Sequence, residues 1–91
     1  MRFDVECVRE FLKANRYVYT VRGYLYRHGS ISYVHGVGYV QRFRVGEIKC
    51  MDDLRDYVSA SGFNAIEEWW KQIEVFCKNK RKWLYHVKVI K

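Results

Sequence analysis

Between Arg16 and Arg27 the chain reads Arg-Tyr-Val-Tyr-Thr-Val-Arg-Gly-Tyr-Leu-Tyr-Arg: four tyrosines, three arginines and no acid in twelve residues. β-Branched and aromatic residues at this density specify an extended strand. From Tyr17 to Arg22 the strand period sorts them into a Tyr17/Tyr19/Val21 face and a Val18/Thr20/Arg22 face. Only one of these faces can face a given cleft. Arginine brings a permanent forked charge suited to phosphate, and an exposed tyrosine ring brings a surface for base stacking, worth ~1–3 kcal/mol per base. Tyrosine in a strand also packs in cores and across strands, so packing and stacking both stand open for these rings.

The rest of the composition fits that strand. Seventeen Lys and Arg against ten Asp and Glu leave a formal charge of +7 on 91 residues, which attracts polyanions whatever the fold. RNA is the expected partner, with DNA possible; a basic but inert surface is the plain alternative. A chain of this length makes one domain, residues 1–91, and 49% hydrophobic with 18% aromatic residues is ample for its core. No apolar run approaches ~18 residues, so no membrane association is expected. Acids at Asp4 and Glu6 interrupt what a signal peptide would keep apolar, which points to the cytoplasm. Cys7, Cys50 and Cys77 form no Cys-x-x-Cys and read as small buried apolar residues; His28, His35 and His86 also lack ligand spacing. No metal and no cofactor are expected.

Periodicity predicts a helix over Val5 to Ala14 with Asp4 as N-cap, then the Tyr17–Arg22 strand ended by Gly23. Ile31–Val34 and Tyr39–Val45 form a hairpin through His35-Gly36-Val37-Gly38, whose glycines supply the positive φ of a tight turn; the second strand has room to run on to Met51. Asp52 opens a second helix through Ser59, and Gly62 stops it in a left-handed conformation. Asn64 caps a third, with Phe63 stapling back onto its first turn and Ile66, Trp69, Trp70, Ile73 and Phe76 as an apolar stripe. Lys78, Lys80, Arg81 and Lys82 complement that helix's C-terminal dipole, and Trp83 to Ile90 alternates as a last strand. The predicted order is α-β-β-β-α-α-β.

Two local signatures, Tyr19-Thr20-Val21-Arg22 and Ser61-Gly62-Phe63-Asn64-Ala65-Ile66-Glu67-Glu68-Trp69-Trp70, together resemble the ASCH family of the PUA-like superfamily. The resemblance implies an α+β fold: a small, partly open, mixed or antiparallel β-barrel with about three helices packed on it. It also implies a cleft between the first helix, the Thr20 strand and the Gly62-Phe63 turn, where relatives bind RNA or modified nucleosides. Some relatives are amidohydrolases of N-acetylated cytidine that use a Lys, a Thr three residues later and a Glu before the Gly-Phe turn. Thr20 is present here, but Tyr17 and Ser61 stand at the other two positions. A threonine hydroxyl without a base is a weak nucleophile at neutral pH. Lys13 and Glu68 are the substitutes available to an enzyme, and Tyr17, Lys13 and Ser61 are the set a ribonuclease of this family would need. Catalysis by Glu67 or Glu68 competes with their ordinary place in a helix's first turn.

The expectation is therefore an RNA- or nucleotide-binding module without catalysis. Arg16, Arg22, Arg27, Arg42 and Arg44 hold phosphates, Tyr17 or Tyr19 stacks a base, Gly62 and Phe63 shape the cleft wall, and Thr20 and Ser61 donate hydrogen bonds. The resemblance favours the Thr20/Arg22 face as the ligand side, with the tyrosines contributing to packing or to the rim. The alternatives are the amidohydrolase or ribonuclease above, and a protein-interaction domain, monomer or homodimer, formed through exposed aromatics.

Overall fold

The computed structural model describes residues 1–90. Helix α1 spans Glu6–Asn15 and strand β1 spans Tyr17–Arg22. The hairpin follows as β2 (Ser30–Val34) and β3 (Gly38–Ile48), then α2 (Ile66–Phe76) and β4 (Lys82–Val89). All pairings are antiparallel in the order β1-β4-β3-β2, so β4 enters the centre and β1 and β2 remain edges of an open sheet. The α+β class and the antiparallel sheet agree with expectation; the described strands do not close a barrel.

The apolar periodicity that predicted α1 drives Val8 and Leu12 into one face of the sheet. There they join Phe3, Val18, Val34, Val40, Tyr85, Val87 and Val89 in the first core. The second core lies on the other face, where Trp69, Ile73 and Cys77 of α2 meet Leu54, Val21, Leu84 and Ile48. A bulge between Arg44 and Gly46 makes that second contact possible. Before it, Val40, Arg42 and Arg44 point with Val87 and Tyr85 toward α1; after it the parity inverts, Gly46 faces Leu84, and Ile48 turns toward α2.

The segment Asp52–Ser59 is not an α-helix. It forms two short 3-10 turns, Met51–Leu54 and Val58–Ala60, closed by i→i+3 bonds such as Tyr57 N–H to Leu54 O at 2.9 Å. Its apolar residues Leu54, Tyr57 and Val58 cover a single turn, too little to repay helix nucleation. Asp53, rather than Asp52, does the capping: its carboxylate accepts from the Lys49 and Cys50 N–H groups at 2.9 and 3.3 Å. The other predicted caps shift by one residue, to Val5 for α1 and Ala65 for α2, neither with a side-chain bond. β3 stops at Ile48, short of Met51; Phe76 is 56% exposed, outside the core; and Cys7 and Cys50 are exposed, leaving only Cys77 buried among the three cysteines. Gly36, Gly38 and Gly62 do take positive φ, of 81°, 117° and 90°. No helix among the described residues is long and apolar enough to cross a membrane.

Candidate functional site

Arg22 ends β1 at the edge of the sheet, where the two covers meet. One comes from the N-terminal segment and α1, the other from the Gly62-Phe63 turn and α2. Between them lies a cavity of about 390 Å³. Phe3, Val5 and Val8 form one wall, and Phe63, Trp69 and Ile73 the other; Thr20 and Arg22 line its floor, with Tyr24, Tyr26 and Lys80 also along it. A space of this size, mostly apolar with a few polar groups, has the character of a small-ligand site.

Arg22 is the electrostatic centre of this cavity. Its guanidinium lies 4.6 Å from the centre of the Phe3 ring. Among the described residues it has no hydrogen bond and no carboxylate within salt-bridge reach, unlike Arg42, Arg55 and Arg81. Burial is the main influence on it and lowers its pKa from the ordinary guanidinium value. It stays charged at neutral pH, because that ordinary value is so high. A partly buried, charged fork without a partner is costly unless a ligand completes it. Thr20, 7% exposed, adds a hydroxyl with no hydrogen bond to another described residue.

A tyrosine holds the lip of the cavity. Tyr85 is fully buried on β4; its hydroxyl accepts from the Tyr26 N–H at 2.6 Å and donates to Tyr24 O at 2.9 Å. The Tyr26 ring packs edge-on to Tyr85 at 5.4 Å and lies under the Arg42 guanidinium at 4.1 Å. Tyr85, Trp69 and Lys80 are the site-forming residues that the motif-based reading passed over. Tyr85 had a signal, since a tyrosine alternating with Trp83, Val87 and Val89 on one strand face needs a partner for its hydroxyl once buried.

The residues predicted from sequence fall into separate places. Thr20, Arg22 and Phe63 share the cavity. Arg42 and Arg44 lie on the same sheet face but are engaged internally. Arg42 donates to Ser30 Oγ at 3.1 and 2.8 Å, and Arg44 donates to Tyr26 O at 3.3 Å. Ser61 is fully buried, donating to Val58 O at 2.7 Å and accepting from Phe63 N–H at 3.1 Å, which fixes the turn rather than a ligand. Gly62 holds the two covers together: a Cβ there would lie 2.7 Å from Val8 Cα. Arg16 and Arg27 are exposed and outside the cavity. Tyr17 and Tyr19 point to the opposite sheet face.

The catalytic substitutes do not gather at Thr20. Lys13 sits over the hairpin turn beside His35 and Gly36 and pairs with Glu10 at 3.7 Å, while Glu68 is exposed on α2; neither lines the cavity. Chemically, the arrangement offers a cation, a hydroxyl and aromatic walls. No protein-family model matches the chain, and no curated protein or solved structure matches it.

Proposed function

We propose that the protein is an RNA- or nucleotide-binding module without catalysis, whose cleft at the edge of β1 takes one nucleotide unit. The observation that carries this reading is the guanidinium of Arg22, without a hydrogen-bonding or ionic partner among the described residues, inside an aromatic-walled cavity of about 390 Å³. In this reading Arg22 holds a phosphate, Thr20 donates to the sugar or base, and Phe63, Tyr24 and Tyr26 border the ring. Lys80 adds charge at the mouth, and the +7 of the chain brings polyanions to it. The resemblance to ASCH domains agrees with this placement, since Thr20 and Phe63 come together beside the first helix. A PUA-like barrel is part of the proposal only so far as an open sheet can stand for it.

Trp69 in the cavity wall makes the test direct. Titration of a mononucleotide followed by tryptophan fluorescence should saturate for the natural chain. Arg22→Gln should weaken it by about tenfold or more, the loss expected for one charge-assisted contact of ~1.5–3 kcal/mol. Equal affinity in the two proteins defeats the reading. Incubation with N-acetylcytidine should leave the acyl group in place; deacylation abolished by Thr20→Ala would replace binding with catalysis.

A further inference from the structure

On the sheet face opposite Arg22, the register sets three rings directly across three adjacent strands. Tyr19 of β1 faces His86 of β4, and His86 faces Phe43 of β3. Their centroids are 5.0 and 6.2 Å apart, with planes 31° and 30° from parallel. Tyr17 borders this row at 5.6 Å from His86, and Tyr57 extends it at 4.9 Å from Tyr19. Helix α2 and the 3-10 turns cover the Val21/Leu84/Ile48 end of this face, with Tyr19 packed at the margin of that cover. The three rings are half-exposed and Lys88 is exposed; Tyr33 and Tyr39, further out, are 55% and 53% exposed.

We infer that this face is a second nucleic-acid surface, on which unpaired bases of a single strand stack along the Tyr19–His86–Phe43 row. It lies across the sheet from the proposed nucleotide cleft and stands without it. Charge selects the occupant. The four strands carry one acid, Glu47, and Arg81 holds it at 2.9 and 3.0 Å. Lys88 sits on the row's own face, opposite Tyr17 and Gln41, and exposed Arg16 and Arg27 flank it in the chain before β1 and before His28. A polyanion with flat, apolar rings satisfies both features at once, and aromatic residues on an antiparallel sheet are a working platform for unstacked bases. Burial, with Lys88 adding to it, lowers the pKa of His86, so the ring stacks as neutral imidazole at neutral pH.

The test varies the ligand before the protein. A fluorescein-labelled ten-nucleotide oligouridine, at ~50 mM salt, is compared with an abasic ten-mer of equal phosphate count, by anisotropy against the natural chain. The oligouridine should bind about tenfold or more tightly, because each stacked base contributes ~1–3 kcal/mol; equal affinities overturn the inference without any variant. Phe43→Leu and Tyr19→Leu, which keep apolar volume and remove the ring, should each weaken oligouridine about fivefold or more and leave mononucleotide binding at the cleft unchanged. Arg22→Gln should do the reverse, so the two sites fail separately. Oligomers of ribose and deoxyribose with the same bases show whether the 2′-hydroxyl is read. A concentration-dependent dimer that Phe43→Leu disperses, with no oligonucleotide bound, gives the face to a second copy and overturns the inference.

Discussion

The two faces of the sheet divide charge and aromaticity against the usual pattern. An antiparallel sheet ordinarily packs its apolar face and leaves its polar face to water. Here the face under α1 carries Arg22, Arg42 and Arg44 among its valines, and each guanidinium rests near a ring: Phe3 at 4.6 Å, Tyr26 at 4.1 Å, Trp83 at 6.0 Å. The other face leaves Tyr17, Phe43 and His86 outside the core that α2 builds, with Tyr19 half-exposed at its margin. Arginine tolerates the covered side because its stem packs while its head reaches an edge. The four rings on the open side pack mainly on one another across the strands, so each keeps part of its surface uncovered. The difference separates residues that hold the fold from residues that the fold presents.

The joint between the two covers is where the largest effect is expected. Gly62 has φ of 90°, and a Cβ there would stand 2.7 Å from Val8 Cα and 2.8 Å from Cys7 O, both backbone atoms that cannot swing aside. Gly62→Ala should cost ~3 kcal/mol or more, read as a lowered urea midpoint, because it pushes α1 off the turn that leads into α2. A loss below ~0.5 kcal/mol would mean that the covers move independently.

A pair of identical substitutions tests the faces against each other. Tyr85→Phe on the covered face removes the hydroxyl that takes Tyr26 N–H and reaches Tyr24 O. It should cost about 1–3 kcal/mol and loosen the lip of the cavity. Tyr19→Phe on the open face removes a hydroxyl bonded to no described residue, and should stay within ~0.5 kcal/mol. Similar losses at both positions would erase the distinction drawn between the faces.

Period and punctuation made most of the fold legible. Tyr17–Arg22 falls on β1 as predicted, the glycines at 36 and 38 close the hairpin, and the stripe led by Trp69 and Ile73 finds α2. The failures come where local pattern is short or partners are distant. Leu54, Tyr57 and Val58 look like the start of a helix, and only the tertiary closure of the segment makes 3-10 turns of them. The site divides the same way. Thr20, Arg22 and Phe63 were legible as a set, and the cavity unites them. Arg42 and Arg44 looked as available as Arg22 because a sequence does not show that Ser30 Oγ and Tyr26 O would take up their donors. The row across β1, β4 and β3 depends on a strand order that puts the chain's last strand second in the sheet, which alternation within each strand does not encode.

Arginines on one face also have different roles, and a matched replacement separates them. Arg22→Met removes a charge that no described carboxylate or hydrogen bond pairs and keeps the stem against Phe3, so stability should hold or rise by about 1 kcal/mol while mononucleotide binding is lost. Arg42→Met removes two donors to Ser30 Oγ and the cation over the Tyr26 ring, and should cost about 1–2 kcal/mol while mononucleotide binding through Arg22 persists. The opposite order would make Arg22 a structural residue and deprive the cleft of its cation.

Acid should reach the two sides unequally, and this is the smallest effect. Backbone N–H groups of Lys49 and Cys50 hold the Asp53 carboxyl below its usual range, and the Arg81 guanidinium does the same for Glu47; Asp53 caps the first 3-10 turn, whose Leu54 packs with α2, while Glu47 stands opposite Trp83 near the start of that segment. Their folded pKa values lie below the unfolded ones, so the stabilisation is complete above about pH 5, beyond the unfolded carboxylate pKa of ~4, and fades as pH falls through the lower folded values. Arg42 and Arg44 on the covered face bond to a hydroxyl and a carbonyl, neither of which titrates in that range. Hydrogen exchange between about pH 5 and pH 3 should therefore accelerate, beyond its intrinsic pH trend, in residues 49–60 before residues 3–15. Asp53→Asn should already show that opening at neutral pH, with little further change on acidification; simultaneous opening of both segments would tie the acid response to the whole sheet instead of one side.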